Sequence, residues 1–402
     1  MRHAIALHVL LLLGALVALE EEPQQEERNS VNVSVVTWNL AEGSPKLSDL
    51  RFLEELGEKS DLICLGVQEI ENLTPRRQEG HRCREWRRLQ HRVLGKDFVR
   101  LGHHSIGSIH LTVYGKRELA SRTKLVKMSD VVCGVGNVLQ NKGAVAAFLR
   151  VDKTTFLFIT AHLAAHQTKV AERNGDYWRI IGELEQEIPP AWIKRAAKRR
   201  QKALTGTAAA GAAPERAAHG GERSVFLDMV DRVFFFGDLN YRIDLDRLDV
   251  QRGLVAAAAV AGGGGAAAGG RGGERGRRRT AIVPEACLQP LPTSSPWVKA
   301  AAAKPSLQSL LDFDQLTLER SRGGAFVGFS EARISFPPTY KYDKNSDTYD
   351  SSAKMRAPAW TDRVLFLPHQ PAVQALDYRS VQTARHSDHR PVVGTYKVML
   401  TK

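Results

Sequence analysis

The chain has 402 residues, of which 43% are hydrophobic and 25% are charged, as is usual for a soluble globular protein. This length excludes a peptide too small to bury a core and allows one large domain or two ordinary ones. The formal net charge of +13 predicts attraction to a polyanion, and it leaves nucleic acid, anionic membrane and a polyphosphorylated small molecule open.

The four cysteines carry little chemical signal. Cys64, Cys83, Cys133 and Cys287 are scattered without CxxC spacing, which argues against a zinc site and provides no disulfide framework. Their small number favours a reducing compartment. Cys64 lies in the apolar stretch DLICLGV and is predicted to be a small core residue.

Residues 1–30 form an apolar leader followed by an acidic linker. Arg2 precedes AIALHVLLLLGALVAL and then EEEPQQEE, a pattern that resembles a secretory signal. The apolar stretch is short for a membrane span, which takes about 20 residues. A signal peptide, an anchor and a leader without a role all stay open. We expect the protein at the cytoplasmic face of membranes, with a secretory or anchored form if the leader acts as one.

From residue 31 to residue 402 the pattern predicts one α/β domain. VNVSVVTWN (31–39) is rich in β-branched residues and predicts a strand. The spacing of leucines over 48–59 predicts an amphipathic helix with Ser48 as its N-cap, and LICLGVQE (62–69) predicts a short buried strand. Further strands are predicted at HLTVYGK (110–116), AVAAFLRV (144–151), TTFLFITAH (154–162), RVFFFGD (232–238), RVLFL (363–367) and PVVGTYKV (391–398).

Two segments, at about 203–223 and 256–279, have low complexity. They lack the apolar side chains that would offset the entropy lost on folding. We therefore interpret both as surface insertions within the one domain. The second ends in RGGERGRRR and could touch an anionic surface, although composition alone favours a solvated segment without a role.

Several predicted strands end in a polar residue that can do chemistry. These residues are Asn39, Glu69, His162, the pair Asp238 and Asn240, and, just before the last strand, Asp388 and His389. Each of them alone could be a turn former, a helix cap or a surface residue. Because so many strands end in the same way, we expect a shared site at one rim of a sheet.

The residue types at these strand ends point to phosphate ester hydrolysis. Glu69 and Asn39 offer the oxygen ligands that suit Mg²⁺. Asp238 could orient or deprotonate a water molecule, with Asn240 beside it as a hydrogen-bond donor, and His389 could meet a phosphoryl oxygen. Magnesium, an activated water and charge stabilisation are the components that such a hydrolysis needs.

Nine short motifs extend this interpretation to a family. They are TWNLAEG (37–43), VQEI (67–70), NKGAVA (141–146), TAHLAAH (160–166), ERNGDY (172–177), GDLNYR (237–242), FPPTYKYD (336–343), PAWTDR (358–363) and SDHRPV (387–392). In this order they resemble the inositol polyphosphate 5-phosphatases, whose superfamily also includes deoxyribonuclease-like endonucleases and bacterial sphingomyelinases. The resemblance spans roughly 33–398 apart from the insertions, and GDLNYR, PPTYK and PAWTDR together are its specific part.

The resemblance implies a fold and an activity. The fold is a four-layer α/β sandwich, in which two packed β-sheets are flanked by helices. The activity is Mg²⁺-dependent removal of the 5-phosphate from phosphatidylinositol 4,5-bisphosphate, or from related phosphoinositides or inositol polyphosphates, by direct attack of water. The expected partners are the substrate and an anionic membrane surface, with no nucleic acid, and the protein is expected to be a monomer.

The resemblance also assigns roles to individual residues. Glu69 and Asn39 are similar to the magnesium ligands, and Asp238 is similar to the residue that activates water. The remaining catalytic positions are His162 and Asn240 on the scissile phosphate, His389 held by Asp362, and Asp388 in the outer metal shell. The substrate-binding positions are Tyr340, Lys341, Lys354 and Arg356 around the 4-phosphate, and Lys142, Arg173 and Asn174 around the rest of the headgroup.

Three alternatives stay open. A nuclease would need a basic groove that fits a duplex in place of the pocket around Lys341. A sphingomyelinase-like phosphodiesterase would need no inositol phosphate pocket. A phosphoinositide-binding scaffold without activity would require a broken site, whereas every chemical position named above is filled in this sequence.

Overall fold

The structure is a computed structural model that describes residues 29–71, 80–134, 140–205, 224–262, 307–368 and 372–401. The leader, most of both low-complexity segments and Cys287 lie outside these ranges, so the predictions made for them lie outside the described residues. None of the helices within these ranges is long and apolar enough to cross a membrane.

Strands and helices alternate along the chain. The strands are β1 (Ser30–Asn39), β2 (Leu62–Gln68), β3 (Phe98–Ile106), β4 (Ile109–Lys116), β5 (Thr123–Val132), β6 (Gly143–Val151), β7 (Thr154–His162), β8 (Arg232–Asp238), β9 (Ser330–Glu331), β10 (Asp362–Phe366), β11 (Val373–Ser380) and β12 (Val392–Met399). The α-helices are α1 (Arg51–Lys59), α2 (His81–Leu94), α3 (Arg117–Ser121), α4 (Val170–Gln186), α5 (Pro190–Thr205), α6 (Arg247–Gly262), α7 (Leu307–Leu311) and α8 (Gln315–Arg322).

The strands form two six-stranded mixed sheets. The first has the order β11-β12-β1-β2-β4-β3 and the second β5-β6-β7-β8-β10-β9. Near the centre of each sheet two strands run parallel, β1 with β2 and β7 with β8. The carboxyl ends of two parallel strands lie at the same edge of their sheet, so each sheet presents two strand ends side by side.

The main hydrophobic core lies between the two sheets. Alternate residues of β1, β2 and β4 face alternate residues of β6, β7 and β8 across it, among them Val35 and Phe158. The rings of Phe158 and Phe234 stack with their centroids 5.2 Å apart. Burial of an aromatic side chain of this size contributes about 1.5–3 kcal/mol, so this interface is a large part of what holds the domain together.

Helices cover the outer face of each sheet. Helix α4 packs Tyr177 and Ile180 against the second sheet, and α1 and α2 pack Leu53 and Trp86 against the first. With both faces covered, the central strands are buried on both sides and have nearly continuous apolar sequences. The predicted four-layer α/β sandwich is confirmed.

Two glycines mark places where a side chain would not fit. A Cβ atom on Gly66 in β2 would lie 2.1 Å from Thr160 Oγ1, across the interface between the sheets. Gly237, next to Asp238, has a φ angle of +145°, and a Cβ there would lie 2.0 Å from the Ala161 carbonyl oxygen. The close approach of the sheets and the backbone at the end of β8 both depend on glycine.

The two ends of the described chain meet at the edge of the sheets opposite the ends of β1 and β8. The backbone amide of Leu400 donates to the Asn29 carbonyl at 2.7 Å. Arg232, the first residue of β8, donates through its guanidinium to the Met399 carbonyl at 2.6 Å. The amino end of the domain is therefore tied to its carboxyl end.

Every strand predicted from the sequence is present, but others were missed. The edge strands β3, β5, β9 and β11 were not predicted, because β9 has only two residues and the other three leave many side chains partly exposed and lack an apolar run. The predicted helix over 48–59 begins instead with a 3₁₀ turn at Leu47–Leu50. Ser48 is therefore not its N-cap, and the backbone amide of Lys46 donates to Asp49.

The first residues of both low-complexity segments are helical, although the segments lack the apolar side chains that would offset the entropy lost on folding. Helix α5 continues through Thr205 and helix α6 continues through Gly262. Alanine, which is abundant at both places, has the highest intrinsic helix propensity and extends a helix that has already begun.

Candidate active site

The strand ends meet at one rim formed by both sheets. In the second sheet Asp238 lies opposite His162 on one side and opposite Asp362 on the other. In the first sheet Asn39 lies opposite Gln68, one residue before Glu69. The predicted convergence of polar strand ends is therefore what the strand register produces.

Asp238 is the carboxylate at the centre of this rim. Its Oδ2 atom lies 3.0 Å from Asn39 Nδ2 and 3.3 Å from His162 Nε2. The Nε2 atom of His389 lies 4.0 Å from the same oxygen. All four side chains are buried. Since Asn39 belongs to the first sheet and Asp238 to the second, the cluster forms only when the sheets pack together.

The surroundings of Asp238 keep its carboxylate ionised. Burial by itself would raise the pKa of Asp238, because the charged form loses its hydration. The hydrogen bond from His162 and the positive charge of His389 outweigh this effect and hold the pKa of Asp238 well below its usual range. A carboxylate that stays charged at neutral pH can orient a water molecule or accept its proton.

His389 is held by Asp362. The Nδ1 atom of His389 lies 2.8 Å from Asp362 Oδ2, and the same oxygen accepts hydrogen bonds from the hydroxyls of Thr339 and Thr361 at 2.7 and 2.9 Å. Burial alone would lower the pKa of His389, but the charge of Asp362 and the hydrogen bond to it raise this pKa to about 10. His389 is thus an oriented cation, as expected for a group that faces a phosphoryl oxygen.

His162 is in the opposite electrostatic situation. Burial lowers the pKa of His162, and Lys142 lowers it further. The Lys142 ammonium group contacts the His162 ring at Nε2. The pKa of Lys142 is itself lowered by burial. The rim therefore places a neutral imidazole and a partly desolvated lysine beside the same carboxylate.

Asn240 has a backbone conformation that fixes its amide. Its φ angle of +58° lies in the left-handed region, which asparagine tolerates better than most residues. The Nδ2 atom donates to the Leu163 carbonyl at 3.0 Å, and Oδ1 accepts a hydrogen bond from Arg242. One N–H of the amide remains for a ligand, so Asn240 can still act as the predicted donor.

Oxygen atoms suited to a hard divalent cation lie on the first-sheet side of the rim. Glu69 also has a positive φ angle, +51°, and its side chain is 41% exposed with Oε1 3.8 Å from His162 Nε2. Asn39 Oδ1 accepts one hydrogen bond, from the Ala41 amide at 2.9 Å. Asp388 is half-buried nearby, next to His389. An exposed carboxylate beside an amide oxygen fits the predicted metal ligands.

A second group of ligand atoms lies deeper in the rim. Among the described residues, the side chains of Asp238, Asp362 and His389 each offer one atom within 4.8 Å of the others. Asp362 and His389 are bonded to each other, and the Oδ1 atom of Asp362 is buried without a hydrogen-bond partner in the described chain. We interpret this group as a support for the imidazole, since the His389–Asp362 bond already uses two of its three ligands.

A basic loop borders the other side of the rim. Lys354 and Arg356 line a cavity of about 570 Å³ together with Arg247 and the carboxylates Asp244, Asp246 and Asp249. Lys341 Nζ lies 3.5 Å from Asp350 Oδ1, and Asp350 accepts the Arg356 amide at 2.9 Å. The predicted cations around a second phosphate therefore lie on one loop, which a buried carboxylate holds in shape.

Arg173 and Asn174 lie behind the rim. Arg173 is fully buried, and its guanidinium donates to the His166 carbonyl at 2.7 Å and to Gln315 Oε1 at 2.6 Å. Asn174 bonds Glu319 and the hydroxyl of Tyr241 at 2.7 and 2.6 Å. The prediction that both residues touch a headgroup is therefore revised, because the two Nη atoms of Arg173 and the side-chain amide of Asn174 hold the loops beneath the site.

Sequence reasoning assigned no role to several residues that shape the site. Arg242 lies within the GDLNYR motif and binds Asn240, so the motif itself was the signal. Asp350 is one of three aspartates in the segment between Lys341 and Lys354, and nothing in the sequence singled it out as the residue that holds the loop. Gln68 donates to Thr160 across the sheets at 3.2 Å, and Gln315 gave no signal in the sequence.

Comparison with known proteins agrees with this geometry. The profile of the endonuclease/exonuclease/phosphatase family 2 matches residues 36–259 and 293–395. The phosphatidylinositol polyphosphate 5-phosphatase type IV of Mus musculus is 30% identical over 395 residues, covering 97% of this chain and 49% of the relative. The inositol-1,4,5-trisphosphate 5-phosphatase 1 of Schizosaccharomyces pombe is 30% identical over 398 residues, covering 95% of this chain and 28% of the relative.

A solved structure agrees as well. The inositol polyphosphate 5-phosphatase domain of SPsynaptojanin, crystallised with inositol (1,4)-bisphosphate and a calcium ion, superposes with a TM-score of 0.61 and 28% identity. The match covers 95% of this chain and 89% of that domain. The resemblance indicated by the motifs is confirmed, although the chain spans about half the length of the mouse relative. The chain belongs to the endonuclease/exonuclease/phosphatase family 2.

Proposed function

We propose that this protein is a divalent-metal-dependent phosphatase that removes the 5-phosphate from phosphatidylinositol 4,5-bisphosphate and related phosphoinositides or inositol polyphosphates. One observation supports this above all others. A single ionised carboxylate, Asp238, lies within 4.0 Å of Asn39, His162 and His389 at a rim built from both sheets. These are the groups needed to direct one water molecule at a phosphorus atom.

Each residue at the rim has a different role in the proposed hydrolysis. Asp238 orients the attacking water and takes its proton. Asn240, through its remaining N–H, and the cationic His389 bind the oxygens of the scissile phosphate, where negative charge builds up in the transition state. Asp362 keeps the His389 imidazole in place.

Glu69 and Asn39 would hold the metal ion, which we propose to be Mg²⁺. When bound, the ion neutralises charge on the transferred phosphoryl group. Asp388 would act from the outer shell. The oxygen donors fit Mg²⁺ and Ca²⁺ alike in chemistry, and Mg²⁺ is favoured because it needs few protein ligands and keeps several waters.

The loop that carries Lys341, Lys354 and Arg356 favours a substrate with a second phosphate next to the scissile one. Arginine can bind phosphate through two parallel hydrogen bonds and lysine acts as a point charge. Lys142 lies at the opposite side of Asp238 and would meet the scissile phosphate or the headgroup beyond it. For a lipid substrate, basic residues at the rim would also be drawn to the anionic membrane surface.

The test is phosphate release by the full chain from phosphatidylinositol 4,5-bisphosphate vesicles and from soluble inositol 1,4,5-trisphosphate, with Mg²⁺, with Ca²⁺ and with a chelator. We expect release that requires the metal. Asp238→Asn should lower kcat by about 10²–10⁴-fold while substrate still binds.

The matched control is Asp231→Asn, which makes the same chemical change at the opposite end of β8. Asp231 bonds Thr155 and Arg199, far from the rim, so kcat should change by less than about threefold even if stability falls. Nicking of plasmid DNA with inert lipid would replace this proposal by a nuclease. Hydrolysis of sphingomyelin that is unaffected by Lys341→Ala would replace it by a phosphodiesterase.

A further inference from the structure

Three side chains from three separate loops stack on one another at the rim. The guanidinium carbon of Arg242 lies 4.4 Å from the centroid of the Tyr340 ring. The Tyr340 ring centroid also lies 4.5 Å from that of the His389 imidazole, with 38° between the planes. The Tyr340 ring therefore contacts both a guanidinium and an imidazole.

Each end of this stack is tied to a group that the proposed reaction uses. The Arg242 guanidinium bonds Asn240 twice, through Nε to its carbonyl at 3.1 Å and through Nη2 to the side-chain oxygen. Arg242 is buried, so its guanidinium supports Asn240 from inside the protein. At the other end His389 is bonded to Asp362 at 2.8 Å.

The backbone holds the ring in the same place. The amide and carbonyl of Tyr340 exchange hydrogen bonds with Ala359, at 3.2 and 2.7 Å, and Tyr340 also bridges to His389. Ala359 lies shortly before β10 and His389 shortly before β12. The ring of Tyr340 thus has a fixed position relative to both strands that supply the Asp362–His389 pair.

We propose that Arg242 and Tyr340 are positioning residues, which fix the Asn240 amide and the His389 imidazole relative to each other through their shared contacts with the Tyr340 ring. The inference rests on the proposed phosphatase function for its kinetic consequences. It gives Tyr340 a different role from the one the sequence suggested, in which the residue belongs to the pocket for the 4-phosphate. In the stack the face of the ring matters, whereas a phosphate contact would depend on the hydroxyl.

Attraction between a cation and an aromatic face explains why the arrangement holds together. Either cation over the ring face is attracted by the negative charge density of the ring, and the attraction grows when water is excluded. Arginine also stacks its planar group on the ring, which lysine cannot do. Asn240 and His389 must approach the same phosphoryl group, and a misplacement of about 1 Å can cost about 10²-fold in rate.

The experiment distinguishes the contribution of the Tyr340 ring to the rate from that of its hydroxyl. Tyr340→Phe, Tyr340→Leu and Arg242→Lys are compared with the wild-type full chain on inositol 1,4,5-trisphosphate and on a 5-phosphorylated inositide that lacks the 4-phosphate. For Tyr340→Leu and Arg242→Lys we expect kcat to fall by about 30–100-fold with little change in KM. The fall should be similar on both substrates, and Tyr340→Phe should keep kcat within about threefold of the wild type.

The double variant provides a second kinetic test. If Arg242 and Tyr340 act as one unit, combining Arg242→Lys with Tyr340→Leu should lower kcat about as much as the worse single variant. If the double variant instead lowered kcat by the product of the two single-variant factors, the proposal would be contradicted. A Tyr340→Phe variant that is as slow as Tyr340→Leu, and only on the substrate with the 4-phosphate, would assign Tyr340 to phosphate binding and overturn the proposal.

A measurement that does not depend on turnover tests the positioning role of Tyr340 separately from the proposed phosphatase activity. The His389 ring N–H that bonds Asp362 is observed by ¹H–¹⁵N NMR in the wild type and in each folded variant, as judged by thermal unfolding. We expect a sharp, slowly exchanging signal in the wild type and in Tyr340→Phe, and a broadened or lost signal in Tyr340→Leu. An inactive wild-type protein with this pattern would refute the phosphatase proposal and support the stack. An unchanged signal in Tyr340→Leu would overturn the stack.

Discussion

The protein shifts the pKa values of two acidic residues near the rim, Asp238 and Asp176, in opposite directions. Cationic neighbours hold the pKa of Asp238 well below its usual range. Asp176 accepts a hydrogen bond from the Ala164 amide at 2.8 Å, but burial raises its pKa to about 6. The folded protein thus stabilises the ionised form of Asp238, whereas it destabilises the ionised form of Asp176 at neutral pH.

We expect Asp176→Asn to stabilise the protein at pH 7. The folded-state pKa of about 6 lies above the unfolded value of 3.8, so the folded state binds more protons between these values. Stability therefore falls as pH rises from about 4 to about 6. Two pKa units correspond to about 3 kcal/mol, and partial exposure of the side chain reduces this to about 1–2 kcal/mol. An asparagine keeps the bond from Ala164 without the charge.

Chemical denaturation of both proteins from pH 3.5 to pH 7 provides the measurement. The two unfolding free energies should agree at pH 3.5 and separate as pH rises through the window between the two pKa values. A variant that is less stable than the wild type at pH 7 would show that Lys142 stabilises the charged Asp176 more than burial destabilises it.

At the scale of elements, the loop after β9 depends on one buried carboxylate. Asp350 is fully buried and accepts hydrogen bonds from the Ser352 hydroxyl at 2.6 Å and from the Arg356 amide at 2.9 Å. It also lies 3.5 Å from Lys341 Nζ. Asp350 therefore holds Lys341 and Arg356 directly, and it reaches Lys354 only through Ser352, whose hydroxyl accepts the Lys354 amide at 3.3 Å.

Asp350→Ala should raise KM for inositol 1,4,5-trisphosphate by about tenfold and leave kcat within about threefold, because the cations would lose their fixed positions. Loss of a negative charge would by itself lower KM for an anionic substrate. A higher KM therefore reports the loss of order in the loop. Asp377→Ala removes the same charge from a half-buried position in β11, where Asp377 pairs with Arg379 at 2.9 Å, and should change neither constant. A lower KM in Asp350→Ala would mean that removing the negative charge of Asp350 affects substrate binding more than the loss of fixed positions for the loop cations.

Much of the fold and of the rim could be predicted because the signals are local. The central strands have apolar runs, and their polar ends mark the rim directly. The edge strands β3, β5 and β11 could not be predicted, because half-exposed strands resemble loops in composition. The burial of Arg173 could not be predicted either, since its partner Gln315 is distant in the chain and follows no pattern.

At the scale of the whole molecule, the distance between the two sheets controls the site. Asn39 and Asp238 bond across the interface, and Gln68 bonds Thr160 just below them. Gly66 is also part of this contact, where a Cβ would lie 2.1 Å from Thr160 Oγ1 and 2.6 Å from Phe236. Anything that separates the sheets at this level also separates the proposed catalytic groups.

Gly66→Ala should therefore lower the free energy of unfolding by about 1–3 kcal/mol and reduce kcat together with it. Gly182→Ala is the matched control, because a Cβ there has nothing within 4 Å and the residue lies in helix α4. The control should raise stability by about 0.5–1 kcal/mol and leave kcat unchanged. Thermal unfolding and initial rates measure both quantities. A fully stable and active Gly66→Ala protein would show that the sheets can separate without disturbing the rim.

The bond between Leu400 and Asn29 has a practical consequence for experiments on this protein. A fluorescent protein or affinity tag joined directly at Asn29 or at Leu400 connects to the domain on the side away from Asp238. Such a fusion leaves the proposed catalytic surface uncovered, so that a labelled chain can be presented to vesicles without the label blocking the rim.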